Sequence, residues 1–115
     1  MIKGFKIPKV EFRIREGDSS DNEDVCAIGG KWINKSTDDF FKGKRVILFS
    51  LPGAFTPTCS SQQLPGFESN ASKLKELGID EIYCCSVNDS YVMNAWAKKM
   101  NISNVKVIPD GSGLF

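Results

Sequence analysis

The run "RVILFSL" at 45–51 constrains the fold of this chain more than any other stretch. Val46, Ile47, Leu48 and Phe49 are consecutive apolar residues, two of them β-branched, and suit a strand buried on both faces. Two later runs, "EIYCCSV" at 81–87 and "VKVI" at 105–108, read as strands too. The segments between them have helical period. Over 59–77, Phe67, Ala71, Leu74 and Leu77 share one face, Pro65 predicts a kink by removing a backbone donor, and Gly78 is a stop. Asp89 or Ser90 caps a helix over 90–100 with Val92, Ala95, Trp96 and Met100 on its inner face. The order β-α-β-α-β predicts an α/β domain whose central, mostly parallel sheet is joined by right-handed crossovers and flanked by helices.

Upstream, "VEFRIR" at 10–15 alternates as a half-buried strand does. Residues 16–24 form a polar loop with a solvated acidic cluster, and 25–33 hold a short strand or hairpin around Gly29-Gly30. "STDDFFKGK" is a short helix capped by Ser36 or Thr37 and stopped at Gly43. At 115 residues the chain is expected to be a single domain, 1–115.

Composition excludes several classes. Fifteen basic against fourteen acidic residues leave no positive excess for nucleic acid or an anionic membrane. No apolar run approaches the ~20 residues of a membrane span, and the N-terminus has no secretory h-region. Histidine is absent, which removes the commonest general base and metal ligand. Cys26, Cys59, Cys84 and Cys85 form no C-x-x-C pair; without a signal peptide they are expected as free thiols of a reducing, cytoplasmic compartment. The N-x-S matches at Asn34, Asn88 and Asn101 are then chance. Trp32 and Trp96 are expected in the core, and the pairs Lys44-Arg45 and Lys98-Lys99 in solvent.

The strand at 45–51 empties into "LPGAFTPTC". Pro52 ends the strand, and Gly53 permits a backbone conformation that other residues resist. Thr56 is a favoured N-cap and Pro57 a favoured first helical residue, so Thr58 is second and Cys59 third. A thiol there sits beside backbone N–H groups outside the helical ladder and at the positive end of the helix dipole. Such a setting favours thiolate, taking cysteine pKa values from ~8.5 into roughly 3.5–7.5. The strand-to-helix junction is also where open α/β sheets bind ligands.

Pro52, Thr56 and Cys59 match the motif P-x-x-x-T-x-x-C, and the chain here resembles the peroxiredoxins. "PGAFTPTCS", "LPGFE" at 64–68, "CSVND" at 85–89, Trp96 and "VIPDGSGLF" at 107–115 are similar to the Prx5-like subfamily in particular. The resemblance implies a thioredoxin-like fold and a thiol-dependent peroxidase for hydrogen peroxide and alkyl hydroperoxides. Cys59 would be the peroxidatic cysteine cycling through sulfenic acid, Thr56 would hydrogen-bond thiolate and peroxide, and Pro52 would shield the sulfur. Gly53 and Thr58 would line the substrate site, and Phe55 would lie near a homodimer contact. No cofactor or metal is implied. Glutathione, glutaredoxin or thioredoxin would be the reductant, with Cys84 and Cys85 structural, on opposite faces of their strand. The family's arginine, the sheet's closing hairpin and the last helix have no counterpart among the 115 residues, since Arg13, Arg15 and Arg45 all precede Cys59. The alternative is therefore a catalytically weak or inactive truncated domain acting as a redox sensor or interaction module. A dithiol oxidoreductase is disfavoured, because Thr56 stands where C-x-x-C has its other thiol.

Overall fold

A computed structural model of the chain describes residues 3–16 and 31–115. The expectations for the acidic loop, for Cys26 and for Gly29-Gly30 fall outside them. Two strands, β1 (Glu11–Glu16) and β2 (Lys31–Ser36), pair antiparallel with Ile14 opposite Ile33. Ser36 then caps α1 (Thr37–Phe41) through a capping box with Asp39, and Gly43 leaves the helix at φ 72°. The main sheet is β3 (Val46–Ser50), β4 (Glu81–Ser86) and β5 (Val105–Pro109), all parallel, in the order β3-β4-β5. The β3–β4 crossover carries a π-helical turn at Cys59–Gln63, α2 (Leu64–Ser69) and α3 (Ala71–Glu76), and α4 (Ser90–Lys99) links β4 to β5. This is the α/β, thioredoxin-like arrangement with a parallel sheet flanked by helices that the sequence predicts.

The pleat of β4 separates two cores. Ile82 and Cys84 face the helices, in a cluster with Leu51, Cys59, Leu64, Ala71, Met93, Trp96 and Val105. Tyr83 and Cys85 face the other way, onto Phe12, Phe40 and Ile108. There the rings of Phe12 and Phe40 meet edge to face at 5.5 Å, Phe40 and Tyr83 at 5.4 Å. The Tyr83 hydroxyl donates to the Phe40 carbonyl at 3.0 Å.

Four expectations need correction. The strand buried along its length is β4, not β3, whose apolar residues are only half-buried; β4 lies between two neighbours, whereas β3 is an edge among the described residues. Leu77 leaves the core at 70% exposure, because α3 ends at Glu76 and the chain turns through Gly78 (φ 94°), so that Ile79 packs inward instead. On α4 the buried residues are Ser90, Met93 and Trp96, while Ala95 is exposed. The Asp89 side chain accepts from Val92 N–H at 2.9 Å and fixes that start. Trp32 is half-buried rather than core, covered by the Arg13 and Arg15 guanidinium groups at 5.2 and 5.7 Å from its ring.

The kink predicted at Pro65 takes the form of the π turn just before it, closed by Leu64 N–H donating to Cys59 O. The segment "LPGFE" has two further structural roles. Phe67 stacks on Phe49 with centroids 3.9 Å apart. Glu68 gathers the backbone N–H groups of Ser103, Asn104 and Val105 at 2.8–2.9 Å. Burial acts to raise the Glu68 pKa, but the N–H donors of Ser103, Val105 and Asn104 outweigh it and hold the carboxyl below the ordinary glutamate value. Glu68→Gln is expected to cost about 1–3 kcal/mol at neutral pH. A depressed folded pKa means the contribution is present above the unfolded value and lost as pH falls through the folded one. Thermal melts of the two proteins should therefore converge toward acid; parallel curves would show that the ionised cap does not matter.

Candidate functional site

The parallel strands end together: β3 at Ser50, β4 at Ser86 and β5 at Pro109. The loops that follow meet at that end. Leu51 N–H donates to Cys85 O at 3.3 Å, and Asp110 N–H donates to Ser86 O at 2.9 Å. Cys59 approaches from the first of these loops. The helix opens at Pro57, and its first ladder bond runs from Ser60 N–H to Thr56 O at 3.0 Å. Thr58 and Cys59 are thus its second and third residues, with amides that precede the ladder, as the sequence predicts.

The turn itself departs from expectation. Gly53 is buried but not left-handed; the residue with positive φ is Phe55, at 63°, with its ring 51% exposed. A bulky residue there costs roughly 1–2 kcal/mol of backbone strain. The Thr56 hydroxyl donates back to Gly53 O at 2.7 Å. Pro52 and Thr58 are exposed.

The Cys59 side chain is 6% exposed and belongs to the helix-side core. Trp96, wholly buried in that core, donates its indole N–H to the Ser60 hydroxyl at 3.0 Å and so fixes the residue after the thiol. Cys84 and Cys85 point to opposite faces, as their strand position predicts, and both thiols are free. Burial, then the neighbouring Cys85 and Cys59, pushes the Cys84 pKa up to about 12. Burial, then the Asp110 carboxylate, pushes Cys85 up to about 11. A cavity of about 400 Å³ lies on the Cys85 side, lined by Leu48, Ser86, Asp110 and Phe115 among others. Its wall does not include Cys59, and its one thiol is held protonated, so this cavity is not where thiol chemistry would occur.

The arginines stand elsewhere: Arg13 and Arg15 against Trp32, Arg45 at the opposite end of β3 next to Asp80. Among the described residues no group of histidine, cysteine, aspartate or glutamate could hold a metal ion. Likewise, no helix there is long and apolar enough to cross a membrane. Sequence reading gave Asn88 no role at the turn that its side chain reaches; its sequence signals were a chance N-x-S match and a place inside "CSVND".

The sequence matches the redoxin family over residues 4–115. It is 57% identical over 114 residues to a peroxiredoxin of Rhizobium etli, covering 96% of this chain and 60% of that one. It is 46% identical to the hybrid peroxiredoxin hyPrx5 of Haemophilus influenzae, covering 99% and 42%. The fold superposes on the Plasmodium falciparum antioxidant protein, a 1-Cys peroxiredoxin, with TM-score 0.79 and 38% identity over 95% of this chain and 62% of that one. The chain thus spans between 42% and 62% of the length of these relatives. With a helix-opening Cys59 at the strand ends and a match from residue 4 to residue 115, the chain belongs to the redoxin family, and its relatives are peroxiredoxins.

Proposed function

We propose that the chain carries the peroxidatic half-site of a thiol-dependent hydroperoxide reductase, with Cys59 as its nucleophile. The observation behind this is the position of Cys59: third in a helix that starts from Thr56-Pro57 at the carboxyl end of a parallel strand. The amides at that start favour negative charge nearby. The Cys59 thiolate attacks one oxygen of the peroxide, the O–O bond breaks, and the leaving oxygen takes a proton to depart as water or alcohol. Cys59 is left as sulfenic acid. Because the Thr56 hydroxyl donates to Gly53 O, it offers lone pairs outward and would accept the peroxide O–H. The Thr58 and Cys59 amides would stabilise the separating oxygens. Gly53 shapes the turn and Pro52 flanks it, a shield at most from the side. Two equivalents of an external thiol, from glutathione, glutaredoxin or thioredoxin, then return the sulfenic acid to thiol, releasing water and a disulfide. A reducing compartment such as the cytoplasm suits the free thiols.

One equivalent of hydrogen peroxide should add a single oxygen to Cys59, located by mass spectrometry after trapping. Oxidation spread over the thiols, or none at Cys59, would favour the non-catalytic reading as an interaction module. The exposed Phe55 ring, carried on a strained turn, is proposed as a homodimer contact. Phe55→Ala is expected to weaken self-association at least tenfold in sedimentation equilibrium while leaving secondary structure intact; an unchanged association constant would remove Phe55 from the contact.

A further inference from the structure

We propose that Asn88 is a positioning residue for the peroxide-reducing turn, acting through the backbone of Ala54; this rests on the reading of Cys59 given above. Its side-chain oxygen accepts two hydrogen bonds, from Ala54 N–H at 3.0 Å and from the Ser86 hydroxyl at 2.7 Å. Ser86 is 2% exposed at the end of β4, the strand buried between β3 and β5. Asn88 is itself held by its own N–H, which donates to Ser86 O at 2.8 Å. The side chain therefore joins the central, buried strand of the sheet to one amide in the middle of the turn.

That amide lies between the two features that set the turn's shape. On one side, the Gly53 carbonyl receives the Thr56 hydroxyl at 2.7 Å and so aims it. On the other, Phe55 is held at φ 63°. A strained residue persists only where its surroundings over-determine it. Without the Asn88 acceptor, the Gly53–Ala54 peptide, which carries both the Ala54 N–H and Gly53 O, can rotate, and the Thr56 hydroxyl that donates to Gly53 O moves with it. Space at Gly53 agrees: a Cβ built there would meet Thr56 Cγ2 at 3.5 Å and Asn88 Oδ1 at 3.9 Å, so all three residues pack on one spot. Cys59 is separately anchored through Ser60 and Trp96, so loss of Asn88 should disorient Thr56 more than the sulfur.

The test compares wild type, Asn88→Ala and Asn88→Asp, the last keeping the acceptor. Hydrogen exchange at the Ala54 amide should quicken at least tenfold in Asn88→Ala and return toward wild type in Asn88→Asp. The rate of Cys59 oxidation by hydrogen peroxide should fall at least tenfold in Asn88→Ala. Its alkylation by iodoacetamide, which needs the thiolate but not an aligned Thr56, should fall less than threefold. Should both reactions fall together, or should Ala54 exchange stay unchanged, the assignment of Asn88 is overturned. If wild-type Cys59 does not react with peroxide, the peroxidase reading fails, and the clamp then stands or falls on the exchange of Ala54 alone.

Discussion

Cys59→Ser is expected to reduce peroxide consumption to the level of buffer, while Cys84→Ala and Cys85→Ala retain it. The nucleophile in such chemistry is the thiolate. A thiol with a pKa of about 12, as at Cys84, is ionised to roughly one part in 10⁵ at pH 7, and one at about 11, as at Cys85, to roughly one part in 10⁴. All three thiols are buried, at 0%, 4% and 6% exposure for Cys84, Cys85 and Cys59, so burial does not separate them. Cys59 differs in its backbone setting, at a helix start, and a serine hydroxyl there does not ionise in the accessible pH range. The measurement is loss of hydrogen peroxide in the presence of a small dithiol as reductant. Turnover surviving in Cys59→Ser, or vanishing in a folded Cys84→Ala, would move the chemistry to another sulfur.

What could be read in the sequence follows from how local each feature is. The helix start at Pro57, a cap at Ser36 or Thr37 and the stops at Gly43 and Gly78 are set by neighbouring residues; the structure has the helix start, both stops and the cap at Ser36, whereas the Thr56 hydroxyl, expected as a cap, donates to Gly53 O instead. Alternation along "YCCS" places Cys84 and Cys85 on opposite faces without knowledge of what covers them. The inner face of α4 was less legible, because Val92 and Met93 are adjacent and both apolar, and packing against the rest of the fold buries Met93. Which strand is central depends on long-range pairing, so β3 and β4 looked alike. The left-handed residue in the turn could not be found from sequence, since Gly53 has the lower intrinsic cost and the Asn88 bond that holds the Ala54 amide beside Phe55 comes from 34 positions away. Glu68, too, reads as a surface charge on a helix until the loop at 103–105 is brought beside it.

Alkaline pH is expected to unfold the protein well before it affects a domain without buried thiols. Cys84 and Cys85 have pKa values raised to about 12 and about 11, against roughly 8.5–9 in an unfolded chain. Below that unfolded value both states hold their protons and stability does not vary with these groups. Between about pH 9 and 11 the unfolded chain releases two protons that the folded one keeps, so each thiol removes up to about 1.4 kcal/mol per pH unit. Two thiols over two units amount to about 5 kcal/mol, comparable with the whole stability of a small domain. Tyr83, whose pKa is also raised by burial and then by Glu81, acts with the same sign at higher pH, because its ionisation would end the bond to Phe40 O. Urea midpoints measured from pH 7 to 11 should stay level and then fall steeply. The double variant Cys84→Ala/Cys85→Ala should start lower, from lost packing, and fall much less over the same range. Curves that descend in parallel would mean that the buried thiols are not the groups whose protons the fold retains.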